Sequence, residues 1–511
     1  MAHAETLRIA TFRVLLALKA GYWEAFCEFL LDCSDAFQTT RTDGADAVDH
    51  APLYCYPAAG FERVDAKGAR LICKVNVGMQ GRIDATRLFN ARLFGLLLVK
   101  AGITRSLWDR QLMIYHNSDK LGSSASLSDI LLTVRDAKDS APQQPPIGYA
   151  VIGWHVDDGT GLACAVGWNL NIKTNRVLQF LKGSIEVIYA TTLTGWHGKK
   201  ALGFALTMGD KTVNMSAPDS VAQLAKDLLK DTVNVSPKHA MTKEFCNIEQ
   251  GVVPEFGDPM RDTVLARMSL TRHALGVFIW LSLVYIEIAR GTNELCSNMA
   301  FPSDGTLKCC RHQSMYLSSH ARGITWGPCE FGLERPEHVN VSDPLHCPKL
   351  QFFHFFSDAN LDTGSITGGV GMLAKAAIIV VSQRQHLASP NSHAAEITAA
   401  SSNYNVIIPT AGVLQELHIL CGARVPLYLD SASSVFVAKS DTAVKKSIWL
   451  IRRAAVLEDG VVHGEIEPIH ISERDMVADP FTKYLIFAVW FRHMWYALNY
   501  EGTLPPHPNE K

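Results

Sequence analysis

Two neighbouring aspartates, Asp157 and Asp158, lie between the apolar segments YAVIGWHV and LACAVGW. The sequence predicts a strand, a tight acidic turn and a second strand here, because Asp-Asp-Gly is favourable turn chemistry. A polar turn without chemistry is the common alternative for such a tripeptide. A second acid in a similar context argues against it, because Asp32 lies at the end of the apolar run in FLLDCSDAF. If these segments pair in one sheet, three carboxylates converge.

Three converging carboxylates suit phosphoryl transfer with two Mg²⁺ ions. Mg²⁺ prefers oxygen ligands, and shared carboxylates allow one ion to activate an attacking hydroxyl while the other stabilises the leaving group. Asp32, Asp157 and Asp158 are therefore candidate ligands of one such pair of ions.

Four further acids fall at predicted strand ends or within predicted helices: Asp358, Glu396, Asp430 and Asp479. The strands are QFFHFFS and VPLYL. Ser389 and Pro390 predict the start of one helix, and Ser472 with Asp475 forms an S-x-x-D pattern that predicts another. Each acid alone is more often a surface residue. Together they match the needs of two-metal hydrolysis of RNA.

The elements around these acids predict a mixed sheet with helices packed against it. Strands are expected at 369–373 and 377–382, which gives the order β-β-β-α-β-α for the last part of the chain. Composition divides the chain into five stretches: residues 1–235, 236–327, 328–348, 349–487 and 488–511. The first mixes helix and strand patterns and contains a Ser-, Asp- and Pro-rich stretch, 117–146, expected to be a loop or an insertion. The second is mostly helical, the third resembles a linker, and the last is a C-terminal tail.

The bulk composition is that of a globular protein. Of 511 residues, 48% are apolar and 19% are charged, and the net charge is −2. Because the chain has no basic excess, a surface that binds nucleic acid would have to be a local cluster of basic residues. Residues 445–453 are a candidate for such a cluster, and a solvated helix face is the alternative. The 12 cysteines lack a framework spacing, which is typical of reduced intracellular thiols. The longest uncharged apolar run, 274–286, is too short to span a bilayer, so a buried helix and a cytoplasmic or nuclear location without membrane contact are expected.

Several segments, in this order, resemble the reverse transcriptase–ribonuclease H part of the Pol polyprotein of copia-type LTR retrotransposons. LLDCSDAFQ is similar to the segment with that family's first catalytic aspartate. LYCYPAAGFE resembles "Y-M-x-P-x-G-F", through Tyr54, Pro57, Gly60 and Phe61. LICKVNVGMQGRIDATRLFNARL resembles "V-C-K-L-x-K-S-L-Y-G-L-K-Q-A-P-R-x-W", and HVDDGTGLA resembles the "Y-V-D-D" hairpin.

The last part of the chain resembles the family's ribonuclease H more closely. FFSDANLDTGSITGGVG is similar to "S-D-A-D-W…S-T-S-G", and SQRQHLASPNSHAAEITAAS to "S-x-K-Q…S-S-x-E-A-E-Y-x-A". LYLDSASSV resembles "D-N-x-S-A-I". ISERDMVADPFTKYL resembles "D-x-x-A-D-x-x-T-K-x-L", a string that is uncommon by chance.

The resemblance implies an α+β fold, with a reverse transcriptase palm and a helical thumb or connection, followed by an α/β ribonuclease H-like domain with a mixed sheet. It implies two Mg²⁺ ions, or Mn²⁺, in each of two sites. The metal ligands would be the seven acids Asp32, Asp157, Asp158, Asp358, Glu396, Asp430 and Asp479. Lys74 and Arg87 would contact nucleic acid, although exposed basic residues need no such role. The implied partners are an RNA–DNA hybrid or primer–template, and deoxynucleotides for the polymerase.

Departures from the family pattern predict a weak or absent polymerase. Only 31 residues precede Asp32, so the fingers strands that grip the nucleotide are expected to be missing and the polyprotein truncated. His155 replaces the aromatic residue before Val-Asp-Asp, and Gln80 replaces a tyrosine. Pro480, directly after Asp479, disfavours helix at that acid. A catalytically inactive remnant that binds nucleic acid or a protein partner is therefore the rival hypothesis. A helical-bundle structural protein is a third, which a mixed sheet carrying Asp358 and Asp430 would exclude.

Overall fold

The chain combines helices with several β-sheets in a computed structural model, which confirms the α+β class. The described residues are 7–34, 54–55, 73–74, 85–117, 125–138, 145–229, 236–330, 332–336, 339–347, 350–361, 364–386, 389–419, 424–440 and 448–508. Side chains are described in these ranges except at 54–55, 73–74, 85–88 and 448–449. Within the ranges, no helix combines the length and the apolar character that a bilayer span requires. The chain divides into two compact units, 1–15 with 24–196 and 16–23 with 197–511.

The first unit is built around an antiparallel sheet. The helices and strands from the start of the described chain to the end of this unit are α1 (Ile9–Gly21), β1 (Cys27–Cys33), β2 (Tyr54–Cys55), β3 (Cys73–Lys74), α2 (Ala85–Ala101), β4 (Thr104–Arg105), β5 (Leu112–Asn117), α3 (Leu127–Asp136), β6 (Gly148–His155), β7 (Asp158–Ala165), α4 (Arg176–Glu186) and β8 (Thr191–Thr194). Six of these strands form a sheet in the order β4-β5-β6-β7-β1-β8, and β2 pairs with β3.

The hairpin of β6 and β7 forms the centre of this sheet, as the strand–turn–strand pattern predicted. Both strands are buried along almost their whole length, which explains their near-continuous apolar sequence. Helices α2 and α4 contribute to the same core, where Leu93 and Leu181 join Phe29 of β1 and Ile152 of β6. This packing fixes the turn that carries Asp157 and Asp158.

The stretch 117–146, expected to be a loop, contains helix α3. Ser126 accepts a hydrogen bond from the backbone of Asp129, whose carboxylate accepts one from the backbone of Ser126, so the helix begins with a complete capping box. Four side chains at helical spacing are buried: Leu127, Ile130, Leu131 and Val134. The polar composition around this helix hid its periodicity, which is why the prediction of a loop was wrong.

Substitution of Gly161 in β7 tests how tightly the central hairpin is packed. A Cβ there would collide with the carbonyl oxygen of Val151 and approach the Phe29 ring to 2.7 Å. We expect Gly161→Ala to lower the free energy of unfolding by about 2–3 kcal/mol in urea denaturation, because overpacking displaces neighbouring strands. Gly183→Ala is the control, since nothing lies within 4 Å of that position in α4 and alanine favours a helix. Equal stabilities of the two variants would contradict this packing.

The second unit begins with a small sheet and a group of helices. Its elements to residue 326 are β9 (Lys199–Ala201), β10 (Phe204–Gly209), β11 (Thr212–Ser216), α5 (Pro218–Leu228), α6 (Arg261–Leu281), α7 (Ala289–Cys296), α8 (Asp304–His320) and β12 (Ile324–Trp326). The four strands form an antiparallel sheet in the order β12-β11-β10-β9. The apolar run 274–286 contributes only its first part to α6, and the chain then turns into the short 3-10 helix Ile286–Ile288.

The rest of the second unit contains the mixed sheet. Its elements are β13 (His354–Asn360), β14 (Ile366–Leu373), β15 (Ala376–Arg384), α9 (Ser392–Glu416), β16 (Val425–Leu429), α10 (Ala432–Ala438), α11 (Ile448–Val462), β17 (Ile466–His470) and α12 (Phe487–Ala497). The order is β15-β14-β13-β16-β17. The first three strands are antiparallel, while β16 runs parallel to both β13 and β17.

Several boundaries of this part differ from those expected from sequence. Helix α9 begins at Ser392 and not at Ser389, because the side chain of Asn391 accepts a hydrogen bond of 2.8 Å from the backbone of Ala394. The Ser472–Asp475 pattern gives only a 3-10 turn, without a side-chain cap. Residues 488–511, expected to be a tail, contain all of α12 except its first residue, and Trp490 and Met494 of this helix are buried.

Candidate functional site

Helix α9 is fixed on the mixed sheet by a buried asparagine. The Asn403 side-chain amide donates hydrogen bonds of 2.9 Å to Ser357 Oγ on β13 and to the Gly368 carbonyl on β14. Gly369 permits this approach, because a Cβ there would lie 2.7 Å from Asn403 Oδ1. Glu396 lies two helical turns before Asn403 and hence on the same face of the helix. The docking of α9 therefore directs Glu396 towards β13.

Asp358 and Asp430 occupy matching places on neighbouring parallel strands. Phe356 of β13 pairs with Tyr428 of β16, and each aspartate lies two residues beyond that pair. The parallel register thus places both carboxylates at the same edge of the sheet, a relation that could not be read from the sequence.

Three of the predicted acids meet at this edge. Carboxylate oxygens of Asp358, Glu396 and Asp430 all lie within 4.8 Å of one another, the one such acidic group among the residues that the structure describes. Asp358 and Glu396 are 1% and 8% exposed. Glu396 Oε1 accepts a hydrogen bond of 3.3 Å from the backbone of Ala359, whereas its buried Oε2 has no hydrogen-bond partner in the described structure. Three carboxylates supply oxygen ligands of the kind that Mg²⁺ prefers, and Glu396 Oε2 has no hydrogen bond that would compete with a metal ion.

Asp479 lies beside this group but outside that spacing. It begins the 3-10 helix Asp479–Phe481 and is 3% exposed. The Lys483 ammonium is 2.9 Å from Asp479 Oδ1, and the Thr482 hydroxyl is 2.5 Å from Asp358 Oδ2. Pro480 is accommodated because the segment is a single turn of 3-10 helix, in which proline occupies a first position without a lost hydrogen bond.

Burial, together with the clustering of negative charge, raises the pKa values of three carboxyls. Burial and the charge of Asp358 raise the pKa of Asp430 to about 6. Burial and the same charge raise the pKa values of Glu396 and Asp479 well above the ordinary range, against the opposing charge of Lys483. Anions crowded in a low-dielectric site repel each other strongly. A divalent cation would offset this repulsion, as would the single charge of Lys483 in part.

The first set of acids lies at one end of the antiparallel sheet. Asp32 of β1 is directly opposite Asp158 of β7, and Asp157 is in the turn that precedes Asp158. Burial together with the charges of all three raises the pKa of the Cys33 thiol to about 12. Asp32 and Asp158 are exposed. The structure thus brings the three acids into one neighbourhood, although their oxygens do not form a group with the 4.8 Å spacing found at Asp358.

The turn between β6 and β7 places strain beside Asp157. Val156 has φ +60°, a left-handed conformation that costs a β-branched residue about 1–2 kcal/mol. We expect Val156→Gly to raise the free energy of unfolding by about 0.5–1 kcal/mol in urea denaturation, because glycine accepts this conformation. Val156→Ala retains a Cβ and should gain less. A glycine variant no more stable than the alanine variant would argue against strain in this turn.

The two basic residues predicted to contact nucleic acid are only partly described. Lys74 is in β3 and Arg87 in α2, but their side chains lie outside the described residues, as do all of Pro57, Gly60 and Phe61. Of the four basic residues in 445–453, only Arg452 and Arg453 are described, and both belong to α11.

Two residues near the acidic group, Thr482 and Lys483, were not predicted from the sequence to belong to the site, although both lie in the segment ISERDMVADPFTKYL. Their contacts with Asp358 and Asp479 link two of the predicted acids. The signal available was their position, three and four residues after Asp479, which a single helical turn brings back to that side chain.

Comparisons with known proteins give solved structures only, since no protein-family model and no curated protein matches the chain. The chain is similar to the foamy viral protease–reverse transcriptase dRH in complex with double-stranded DNA, at 11% identity and a TM-score of 0.46 over 92% of this chain and 60% of that one. It is also similar to the foamy viral protease–reverse transcriptase in complex with an RNA/DNA hybrid, at 11% identity and a TM-score of 0.47 over 92% of this chain and 46% of that one. This chain therefore spans less than two thirds of the length of either structure.

Proposed function

We propose that this protein is a copia-type retroelement product whose second unit hydrolyses the RNA strand of RNA–DNA hybrids with two divalent ions. The observation that carries this proposal is the group formed by Asp358, Glu396 and Asp430 at one edge of a mixed sheet. The motifs around these acids support it, because each resembles the corresponding ribonuclease H motif.

In this proposal, Asp358, Glu396, Asp430 and Asp479 hold the two Mg²⁺ ions. When bound, these ions supply activation of the attacking water and stabilisation of the leaving oxygen. The chain's own residues prepare the site. Asn403 fixes the helix that carries Glu396, and the parallel pairing of β13 with β16 sets the spacing between Asp358 and Asp430. Burial of these side chains excludes water that would otherwise weaken their electrostatic interactions.

The remaining parts follow the domain scheme proposed from sequence. Residues 1–235 would be the palm with partial fingers, 236–327 the thumb or connection, 328–348 the linker, 349–487 the ribonuclease H-like domain and 488–511 the C-terminal segment. Asp32, Asp157 and Asp158 would bind the polymerase metals, with Lys74 and Arg87 on the primer–template. We propose that primer extension is weak or absent, because these three acids are less closely grouped than those around Asp358.

A catalytically inactive nucleic-acid-binding protein is the second candidate. The ion pair of Lys483 with Asp479 favours it, because an internal cation already neutralises part of the acidic group. Such a protein would bind the hybrid without cutting it.

Cleavage of a labelled RNA–DNA hybrid by the purified chain distinguishes these candidates. The ribonuclease proposal expects cleavage of the RNA strand in millimolar Mg²⁺, none with a chelator, and none of single-stranded RNA or duplex DNA. Binding of the hybrid without cleavage would favour the second candidate. A chain that neither binds nor cuts the hybrid would exclude both.

A further inference from the structure

Segment 479–483 packs against the sheet strand that carries Asp358. Thr482 is fully buried, and its hydroxyl lies 2.5 Å from Asp358 Oδ2 and 3.0 Å from the Asp479 carbonyl oxygen. A carboxylate oxygen is the stronger acceptor for the single hydroxyl proton. Thr482 therefore holds Oδ2 of Asp358 in place.

A glycine on β14 makes room for this contact. Gly368 is the cross-strand partner of Asp358, and a Cβ there would collide with the Thr482 methyl group and lie 2.9 Å from the Ala478 carbonyl oxygen. The segment can approach Asp358 this closely only because β14 has no side chain at this point.

Helix α7, which precedes the mixed sheet in the chain, supports the same segment. Arg290 is 6% exposed, and its Nε donates a buried hydrogen bond of 2.9 Å to the Thr482 carbonyl. Its guanidinium also forms an ion pair of 2.5 Å with Glu294 on the same helix. The position of the guanidinium is therefore fixed from two sides, and it holds the backbone of Thr482.

A second contact joins α7 to this segment through β15. The Asn293 side-chain amide donates a hydrogen bond of 2.8 Å to the Ser382 carbonyl, and the Ser382 hydroxyl donates one of 2.7 Å to the Phe481 carbonyl. The Thr482 carbonyl thus accepts a hydrogen bond directly from α7. The Phe481 carbonyl accepts one from Ser382, which is itself bound to Asn293 of α7.

We propose that Thr482 and Arg290 are positioning residues for Asp358: Thr482 orients the carboxylate, and Arg290 on α7 holds Thr482 against it. This inference rests on the proposed ribonuclease function and deepens it. It makes divalent-ion affinity depend on a helix more than 60 residues before Asp358 in the chain, which no motif of the acidic residues indicates.

Calorimetric titration with Mn²⁺ tests the role of Thr482 in the full-length chain. We expect Thr482→Val to weaken Mn²⁺ binding about 10- to 100-fold, the usual effect of removing a group that orients a metal ligand. Thr482→Ser keeps the hydroxyl and should restore most of the affinity. Thr271→Val is the matched control, because this threonine is equally buried and its hydroxyl bonds only to the Arg267 carbonyl within α6. Melting temperatures without metal, recorded for all variants, show whether the two valine variants lose similar stability.

The role of Arg290 is tested by Arg290→Lys, alone and combined with Thr482→Val. Lysine keeps a positive charge opposite Glu294 but cannot form the hydrogen bond to Thr482 in the same geometry. If Arg290 acts through Thr482, the single variant weakens Mn²⁺ binding and the double variant binds no more weakly than Thr482→Val.

The outcomes separate this inference from the function on which it rests. Wild-type protein that binds Mn²⁺ and cuts the hybrid, together with a Thr482→Val variant of unchanged affinity, would overturn the inference and leave the proposed function standing. If the losses of Mn²⁺ affinity in the two single variants add fully in the double variant, Arg290 does not act through Thr482. Wild-type protein that binds no Mn²⁺ would overturn both the function and the inference.

Discussion

Asp358→Asn should abolish Mg²⁺-dependent cleavage of the hybrid, with a rate at least about a thousandfold below that of the wild type. Asn is nearly isosteric with Asp, and its amide oxygen can still accept the hydrogen bond from Thr482. What it lacks is the negative charge next to Glu396 and Asp430 that a pair of divalent ions requires. Single-turnover cleavage of a labelled hybrid in millimolar Mg²⁺ measures this loss.

The same variant should be more stable than the wild type in the presence of a chelator. Removing one charge from a buried acidic group relieves the repulsion that raises the pKa values of Glu396, Asp430 and Asp479. Loss of activity together with gained stability cannot be explained by misfolding. Asp343→Asn is the control, since this exposed acid pairs with His346 and is not part of the group. A variant Asp358→Asn that keeps more than about a tenth of the activity would contradict the assignment.

The pH dependence of stability is the second large effect. Asp430 has a folded pKa of about 6, raised by burial and by Asp358 from an ordinary 3.8. A raised carboxyl pKa means that the folded protein binds more protons than the unfolded chain in this range, so the free energy of unfolding falls as pH rises. The ionisation of Asp430 alone would lower the free energy of unfolding by about 2 kcal/mol as the pH rises, after allowance for the partial exposure of this side chain. Glu396 and Asp479 have higher folded pKa values and extend the loss above neutral pH.

Urea denaturation at pH 5 and pH 8 with a chelator measures this loss. Glu396→Gln should reduce the difference in the free energy of unfolding between the two pH values. This variant distinguishes the contribution of the acidic group from that of other titrating residues, such as buried Glu287, whose pKa burial raises to about 7. Saturating Mg²⁺ should restore stability at pH 8 and have little effect at pH 5, because metal binding requires ionised ligands. An equal pH dependence in the wild type and in Glu396→Gln would contradict the proposed electrostatics.

Part of the fold followed from local sequence patterns. The apolar runs before Asp358 and Asp430 and the hairpin around Asp157 are short and end in acids or turn residues, which is strong local information about strands. Helix α3 was missed because a polar neighbourhood masked one amphipathic stretch. The start of α9 was misplaced because Asn391, a strong N-cap residue, directly follows the Ser389-Pro390 pair, which also fits a helix start.

The candidate site depends on relations that no local pattern contains. Asp358 and Asp430 meet because β13 and β16 are adjacent and parallel, and register between distant strands is set by packing of the whole sheet. The contact of Thr482 with Asp358 requires the absence of a side chain at Gly368, which becomes evident only when β14 and β13 are paired. Arg290 contributes from a helix that the sequence offered no reason to place there.

The mixed sheet excludes the hypothesis of a helical-bundle structural protein. Asp358 is part of β13, and Asp430 directly follows β16 of the same sheet. Between an active ribonuclease and an inactive remnant, the distinction rests on whether the acidic group takes up divalent ions in competition with Lys483.

Anomalous scattering from crystals grown with millimolar Mn²⁺ tests the central claim most directly. The account predicts two peaks about 3.5–4 Å apart, both bound by Asp358, with Glu396, Asp430 and Asp479 completing the ligands. Crystals with no Mn²⁺ peak at this edge of the sheet, and with the Lys483 ammonium still paired with Asp479, would contradict it.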